Sequence, residues 1–467
     1  MTRTPHRVDT TLERVRRRTI SWVAAHERPL LISLLLIGFA LRGLLVAFSP
    51  TPFGYVWDFY HEGVRLLWSN GHLPASTDCW QCYHPPLFYV LGWPLYAFGR
   101  WTAAGAASSD AQGLRWLAAL AMASAAVTIY YGYRLLRLFR CRGGSLVIGV
   151  ALLVTFPCLF ISSYGAEADI VLTGILSAFI YYLTHDFTRI GSVPSSVRLG
   201  VLAGLAVATK YSGLVALVSA VILFAIRVVW GPGRLQGVRN AAIVVALCAA
   251  VGGWKYVDNY RYYGTPLYAN GTALEGFSIH RGPRLRGRYE FTTIRFGALM
   301  RVFGPHAIRG ALTDLPVYHS VPTTLHALAW SDMSFFSEPT RHGDPTHPYA
   351  RKRVPAGLIG TVLVLGFVPE LLAALGFVVT LRRRVFQPLA IVCVVGMTAY
   401  TWWFVSQEAW GLKTKYLLFL LPVFVVYTVS GFAFIWNRAP RLGAIAGVLM
   451  AALVVFANVY LLAFALG

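Results

Sequence analysis

Acids and lysines spaced to work on a phosphate ester occur in five separate segments of the chain. In Trp57-Asp58-Phe59-Tyr60-His61-Glu62-Gly63-Val64-Arg65, residues Asp58, His61, Glu62 and Arg65 fall at i, i+3, i+4 and i+7, on one face of a short amphipathic helix. A carboxylate there, Asp58 first, can act as general base toward an attacking hydroxyl; a solvated helix face is the alternative reading. Tyr164-Gly165-Ala166-Glu167-Ala168-Asp169 brings two acids within about a turn of each other at the edge of an apolar segment, where charge is costly unless it serves a site or snorkels to water. Lys210 in Thr209-Lys210-Tyr211, Lys255 in Trp254-Lys255-Tyr256, and Lys413 and Lys415 in Gly411-Leu412-Lys413-Thr414-Lys415-Tyr416 are cations that can cradle a phosphate. Together these groups fit phosphate-leaving-group chemistry: an acid deprotonates the acceptor while lysines stabilise charge on the departing phosphate.

Other polar residues have less to recommend them. His84 stands beside Pro85 and Pro86 and is a further candidate, although such a histidine is also a common structural residue. Arg42 and Glu370 lie inside apolar segments, and each either touches substrate or pairs within the protein. Cys79 and Cys82 form a C-x-x-C whose leading reading is a small disulfide; zinc would need two more ligands, and His84 with His72 or His61 is a weak set. Cys141 is predicted cytoplasmic, and Cys158, Cys248 and Cys393 lie in or near lipid. Histidines 280, 306, 319, 326, 342 and 347 lack metal-ligand spacing, and no Walker, HExxH or G-x-S-x-G motif occurs.

The elements that must position these groups follow from composition. With 57% apolar and only 13% charged residues, 467 residues cannot clothe soluble domains, which excludes a water-soluble multidomain enzyme. The net charge of +22 has no broad hydrophilic face to spread on nucleic acid, so a nucleic-acid partner is excluded too. Apolar runs near 30–48, 112–138, 144–163, 165–187, 211–230, 239–257, 356–381, 387–405, 415–436 and 442–466, with a shorter one near 197–209, predict an all-α polytopic membrane protein of about eleven transmembrane helices. The first run is read as an anchor rather than a cleaved signal peptide. Residues 85–99, with Phe88, Tyr89, Trp93, Tyr96 and Phe98 among three prolines, are predicted to lie flat in the headgroup layer.

Arginine placement sets the topology. Arg14, Arg16, Arg17 and Arg18; Arg137, Arg140 and Arg142; Arg189 and Arg198; Arg227, Arg234 and Arg239; Arg382, Arg383 and Arg384; and Arg438 and Arg441 all become cytoplasmic if 85–99 does not span. The chain then divides into a basic cytoplasmic N-terminus (1–29), a catalytic module (30–257) with outer loop 49–111, a long outer loop (258–355) and C-terminal transmembrane helices (356–467). The N-terminus is inside, and the site faces the outer or periplasmic side of the inner membrane. Arg281, Arg284, Arg286 and Arg288 sit in the long outer loop and would face an anionic acceptor or lipid headgroups.

Leu67-Trp68-Ser69-Asn70-Gly71-His72-Leu73-Pro74 followed by Tyr83-His84-Pro85-Pro86-Leu87-Phe88-Tyr89 resembles the polyprenyl-phosphate-sugar-dependent glycosyltransferases of the GT-C superfamily, in their protein O-mannosyltransferase-like and aminoarabinose-transferase-like branches. The resemblance continues through the acidic second outer turn, Thr209-Lys210-Tyr211-Ser212-Gly213-Leu214, the stretch from Trp254 through Asn259-Tyr260-Arg261 to Pro266-Leu267, and Lys415-Tyr416-Leu417-Leu418 with Leu421-Pro422. It implies a GT-C bundle with juxtamembrane helices in the first outer loop. It also implies inverting transfer of a hexose or pentose from a polyprenyl-phosphate donor to a glycan, lipid or protein hydroxyl. Asp58 matches the family's base, Glu167 or Asp169 its second-turn acid, and His84, Lys210, Lys413 and Lys415 its donor-phosphate contacts. Several relatives carry Lys where His84 stands, and without the soluble C-terminal domain of some relatives, acceptor recognition is expected to fall to loop 258–355. The candidate site is therefore Asp58, Glu167 and Asp169 for catalysis, with His61, Glu62, His84, Lys210, Lys255, Arg261, Lys413, Lys415 and Tyr416 for substrate. No cofactor is called for, and a divalent metal is allowed without being required. A transporter or flippase of a lipid-linked anionic solute is the alternative; it would show repeats or discontinuous helices with polar groups near the midplane. A non-catalytic assembly protein has little need of paired acids and lysines.

Overall fold

In lipid every backbone polar group must be satisfied within the protein, so apolar runs of this length fold as helices. The computed structural model describes residues 21–23, 25–48, 60–187, 192–230, 234–268, 291–300, 320–331, 354–406 and 414–466. Asp58, Lys413, Arg14, Arg16, Arg17, Arg18, Arg189, the four arginines 281–288 and histidines 280, 306, 319, 342 and 347 lie outside the described residues. In chain order the helices are α1 (Glu27–Phe48), α2 (Tyr60–Asn70), α3 (Leu87–Trp101), α4 (Ala106–Leu138), α5 (Gly144–Thr155), α6 (Pro157–Ser162), α7 (Ala168–His185), α8 (Val193–Thr209), α9 (Leu214–Trp230), α10 (Arg234–Gly252), α11 (Trp254–Tyr263), α12 (Phe296–Met300), α13 (Val321–Trp330), α14 (Ala356–Thr380), α15 (Gln387–Ser406), α16 (Leu421–Arg438) and α17 (Pro440–Leu466). Tight 3-10 turns occupy Tyr211–Gly213, Arg384–Phe386 and Thr414–Leu420, and no strand occurs among the described residues.

Nine helical segments among the described residues are long and apolar enough to cross a membrane; α5 and α8 are the shorter apolar ones. The eleven expected stretches are thus all helical, with two below spanning length. α4 packs on α7, α8 on α10, and α14 on α16 and α17. α3 has 15 residues, about 22 Å at 1.5 Å each, which is short of a 30 Å crossing. It lies along α4, burying Phe88, Tyr89 and Tyr96 and leaving Trp93 and Trp101 exposed.

Two expected spans are interrupted. The run at 144–163 breaks between α5 and α6, because Pro157 has no N–H to donate and forces Phe156 into an extended conformation (φ −63°, ψ 115°). The run at 239–257 stops at Gly252, and Lys255 belongs to the separate helix α11. Arg42 explains how the first break is tolerated. Its Nη1 donates to Gly38 O at 3.0 Å and to Val154 O at 3.1 Å, and its guanidinium lies 5.2 Å from the Phe160 ring centroid. A buried cation therefore caps the negative end of an interrupted helix, which assigns Arg42 to pairing within the bundle.

α14 and α16 cross backbone to backbone. A Cβ at Gly376 would overlap the Tyr427 carbonyl, and one at Gly431 the Leu372 carbonyl. Gly431→Ala is expected to cost about 1–3 kcal/mol through this overlap, read as a lower midpoint of thermal denaturation in detergent. At Gly447 an added Cβ meets only ordinary contacts with Phe432 at 3.7 Å, so Gly447→Ala should leave the midpoint unchanged or raise it.

Candidate active site

The acids are placed by the turn that joins α6 to α7. Glu167 sits extended just ahead of α7 (φ −130°, ψ 139°) and Asp169 lies in its first turn, where the helix dipole favours negative charge. Lys210 ends α8 in an extended conformation, and its Nζ lies 2.7 Å from Asp169 Oδ1. Lys415, in the 3-10 turn Thr414–Leu420, has its Nζ 3.1 Å from Glu167 Oε1. Glu167 is 0% exposed, Lys415 and Asp169 2% and Lys210 8%, so two ion pairs are shut away from water side by side on one helix end.

Aromatic rings surround the lysines. Lys210 Nζ lies 4.3 Å from the Tyr416 ring centroid and 5.5 Å from that of Tyr60, and Lys415 Nζ lies 5.8 Å from that of Tyr416. Tyr60 opens α2, two residues after Asp58, and stacks on His84 at 5.6 Å. His84 in turn meets Tyr211 edge-on at 5.5 Å. The structure thereby joins Glu167, Asp169, Lys210, Lys415, Tyr416 and His84 into one continuous group with Tyr60.

The segment between α1 and α4 is tied down around this group. Cys79 and Cys82 form a disulfide, and Tyr89 donates from its hydroxyl to Gln81 O at 2.6 Å. The Tyr211 hydroxyl lies 2.9 Å from both Tyr83 O and Tyr268 O and accepts from Asn259 Nδ2 at 2.7 Å. Ser76 donates to Asn259 Oδ1 at 2.9 Å. Loop one, the end of α8 and the α11 exit are therefore held by one polar network.

Other predicted residues are employed differently. Arg65 donates from Nε to Asp110 Oδ1 at 2.9 Å and from Nη2 to Asp110 Oδ2, and Tyr96 and Arg100 complete that cluster. Asp110 was hidden from sequence reading by a separation of 45 residues. Burial raises the Glu62 carboxyl above its usual range, with Arg65 acting against it. Lys255 is buried, which lowers its pKa; the acids facing it are Asp258 and Asp78 rather than Glu167 or Asp169. Arg261 is exposed on α11 and pairs with no described residue.

The long loop contributes an element that the sequence reading missed. α13 begins with Ser320 accepting from Thr323 N and with Pro322 in its first turn, a capping pattern that could have marked it. It packs Val321 and Leu325 near Tyr416 and Leu417, and Thr414 Oγ1 donates to Leu325 O at 2.8 Å. At its far end His326 Nδ1 and Trp330 Nε1 both lie 2.8 Å from Glu370 Oε1, and His326 Nε2 lies 2.9 Å from Leu363 O. Glu370 is thus held within the bundle by the buried loop helix.

No family model matches the chain, and no curated protein matches it. Among solved structures it is similar to the Archaeoglobus fulgidus oligosaccharyltransferase in complex with Zn and sulfate, at 17% identity and TM-score 0.51, covering 94% of this chain and 53% of that one. It is also similar to the Archaeoglobus fulgidus AglB in complex with an inhibitory peptide and a dolichol-phosphate (16%, TM-score 0.46, 94% and 55%). A further similarity is to ArnT from Cupriavidus metallidurans in the apo state (14%, TM-score 0.40, 90% and 80%). The chain spans about half the length of the archaeal enzyme. The likeness at TM-score 0.51 shows the fold, a bundle of apolar helices shared with the archaeal enzyme, in keeping with the all-α bundle expected from the sequence.

His61 gives the site's surroundings a pH dependence. Burial, reinforced by Arg65 and opposed by Asp110, lowers its pKa from 6.5 to about 4. The folded protein keeps His61 neutral down to about pH 4, while the unfolded chain protonates it from 6.5. Its contribution is complete above pH 6.5 and is lost by about 1.4 kcal/mol per pH unit as pH falls toward 4. The denaturation midpoint is expected to drop between pH 7 and pH 5, and His61→Gln should flatten that slope.

Proposed function

We propose that the chain is a membrane glycosyltransferase that moves a sugar from a polyprenyl-phosphate donor to a hydroxyl on the outer side of the membrane. The observation that carries the reading is the pair of buried ion pairs, Lys210 with Asp169 and Lys415 with Glu167, at one end of the bundle. Burying four charges together is costly, and such an arrangement in a membrane bundle points to a site rather than to stability. The GT-C motifs support it, as does the fold, which is that of a protein named an oligosaccharyltransferase.

In this reading Asp58 takes the proton of the acceptor hydroxyl, and the hydroxyl oxygen attacks the anomeric carbon from the face opposite the phosphate. The bond to the phosphate oxygen breaks with inversion, and the electron pair stays on the phosphate. Lys210 and Lys415 face the charge that develops there, while Glu167 and Asp169 keep both ammonium groups charged and oriented. His84 and Tyr60 wall the same space. Loop helix α13, beside Tyr416, places part of segment 258–355 against the site and suits it to acceptor recognition.

One observation favours transport instead: the α5–α6 break with a buried arginine is a discontinuous helix of the kind transporters use. Arg42 already donates to Gly38 and Val154, however, and the acid–lysine pairs lie on other elements. Incubating purified protein with a radiolabelled polyprenyl-phosphate sugar and a cell-envelope extract that supplies acceptor hydroxyls separates the two readings, since only transfer moves the label to an acceptor and releases free polyprenyl phosphate. Asp58→Asn is expected to lower that release by about 10²–10⁴-fold with the fold intact. Lys210→Met should lower it by about 10²–10³-fold. Undiminished turnover in Asp58→Asn would remove Asp58 from the mechanism.

A further inference from the structure

Glu167 and Asp169, two residues apart on one helix end, are the kind of carboxylate pair that attracts a divalent cation. The archaeal oligosaccharyltransferase of the same fold was crystallised in complex with Zn and sulfate. Here the carboxylates do not fit such an ion. A divalent metal bonds carboxylate oxygens at about 2.0–2.6 Å. An ion chelated by both oxygens of either carboxylate would have to displace the ammonium group at 2.7 Å from Asp169 Oδ1 or at 3.1 Å from Glu167 Oε1. All four side chains are buried, so neither lysine can swing into water to make room. Lys210 is further confined by the Tyr60 and Tyr416 rings.

Charge leads to the same result. Among these four described side chains two carboxylates and two ammonium groups are neutral together, so a divalent ion added beside both lysines would bring two further positive charges into a buried region. Among the described residues, no group of three or more His, Cys, Asp and Glu is placed to hold a metal. Asp169 Oδ2 accepts no hydrogen bond from a described residue, so the carboxylate keeps one oxygen that a metal could use once the ammonium groups are removed.

We propose that Lys210 and Lys415 occupy the cation positions of Glu167 and Asp169, so that the donor phosphate meets two preset ammonium groups and transfer needs no divalent metal. The statement about transfer rests on the donor reading above; the statement about the acids does not. Two consequences follow. Wild-type protein has no metal site at these acids, and removing the ammonium groups uncovers one.

Full-length protein in detergent is titrated with Mn²⁺ and bound metal is read by electron paramagnetic resonance. The wild type is expected to show no site that depends on Asp169, and the Lys210→Met/Lys415→Met variant to gain one with dissociation constant of about 10⁻⁴–10⁻³ M. Adding Asp169→Asn to that variant should abolish the new site. Where the double variant does not elute as a monodisperse species, Lys210→Gln alone takes its place. Chelator should change wild-type turnover by less than about twofold. Wild-type Mn²⁺ binding that Asp169→Asn removes, turnover that stops with chelator and returns with metal, or a folded lysine variant that gains no site would each overturn the proposal. If the wild type turns over no polyprenyl-phosphate sugar, the donor reading fails while the Mn²⁺ comparison still decides the occupancy of the acids.

Discussion

A carboxylate or an ammonium taken out of water costs several kcal/mol, and the cost is offset only when each charge meets its partner in good geometry. The Glu167–Lys415 and Asp169–Lys210 pairs impose that requirement twice, on adjacent turns of chain. The start of α7, the end of α8 and the 3-10 turn Thr414–Leu420 must therefore converge, although they come from positions separated by up to about 250 residues. Removing any one of these elements leaves a bare buried charge. The close glycine crossing of α14 on α16 belongs to the same arrangement, because α16 continues directly from the turn that carries Lys415.

The charged residues collect where the helical backbone is interrupted. Glu167 precedes α7, Lys210 leaves α8 with extended angles, Lys415 lies in a 3-10 turn, and Lys255 follows the Gly252–Gly253 break. A continuous helix commits its side chains to one stripe and its carbonyls to its own ladder. An interruption frees both, allowing a side chain to turn across the bundle and leaving backbone groups that need a partner. Arg42 shows the second effect where it takes the Val154 carbonyl below Pro157. Loop helix α13 shows a related solution, since its buried polar side chains His326 and Trp330 are satisfied by Glu370.

Much of this was legible in the sequence because hydrophobic length is a strong local signal. The helices, the shortness of α3 and the gathering of Glu167, Asp169, Lys210 and Lys415 were all readable before the structure. The breaks were less so: Phe156-Pro157 and Gly252-Gly253 are written in the chain, but a window of spanning length averages across them. Pairings over long separations were not readable at all. Arg65 looked like one face of a site helix, and only the structure places it on Asp110. Glu370 and His326 carried no spacing that linked them, since their contact depends on how α13 enters the bundle. Lys255 shared its type and its place at the end of an apolar run with the site lysines, yet its acidic neighbours are Asp258 and Asp78.

The choice between the two basic residues follows from what each must do. Only five of the 41 cations are lysines, and two arginines show what the guanidinium does here: buried Arg42 holds two carbonyls through Nη1, and half-buried Arg65 forks onto both oxygens of Asp110. A planar guanidinium bound as Arg65 is has two donors committed to one carboxylate. An ammonium has three donors around a point charge, so it can hold a carboxylate with one and offer the others elsewhere. Lys210, bonded to Asp169 between the Tyr60 and Tyr416 rings, is in that condition. An arginine there could fork onto both oxygens of Asp169, as Arg65 does on Asp110, turning a group with donors left for a second partner into a closed structural pair.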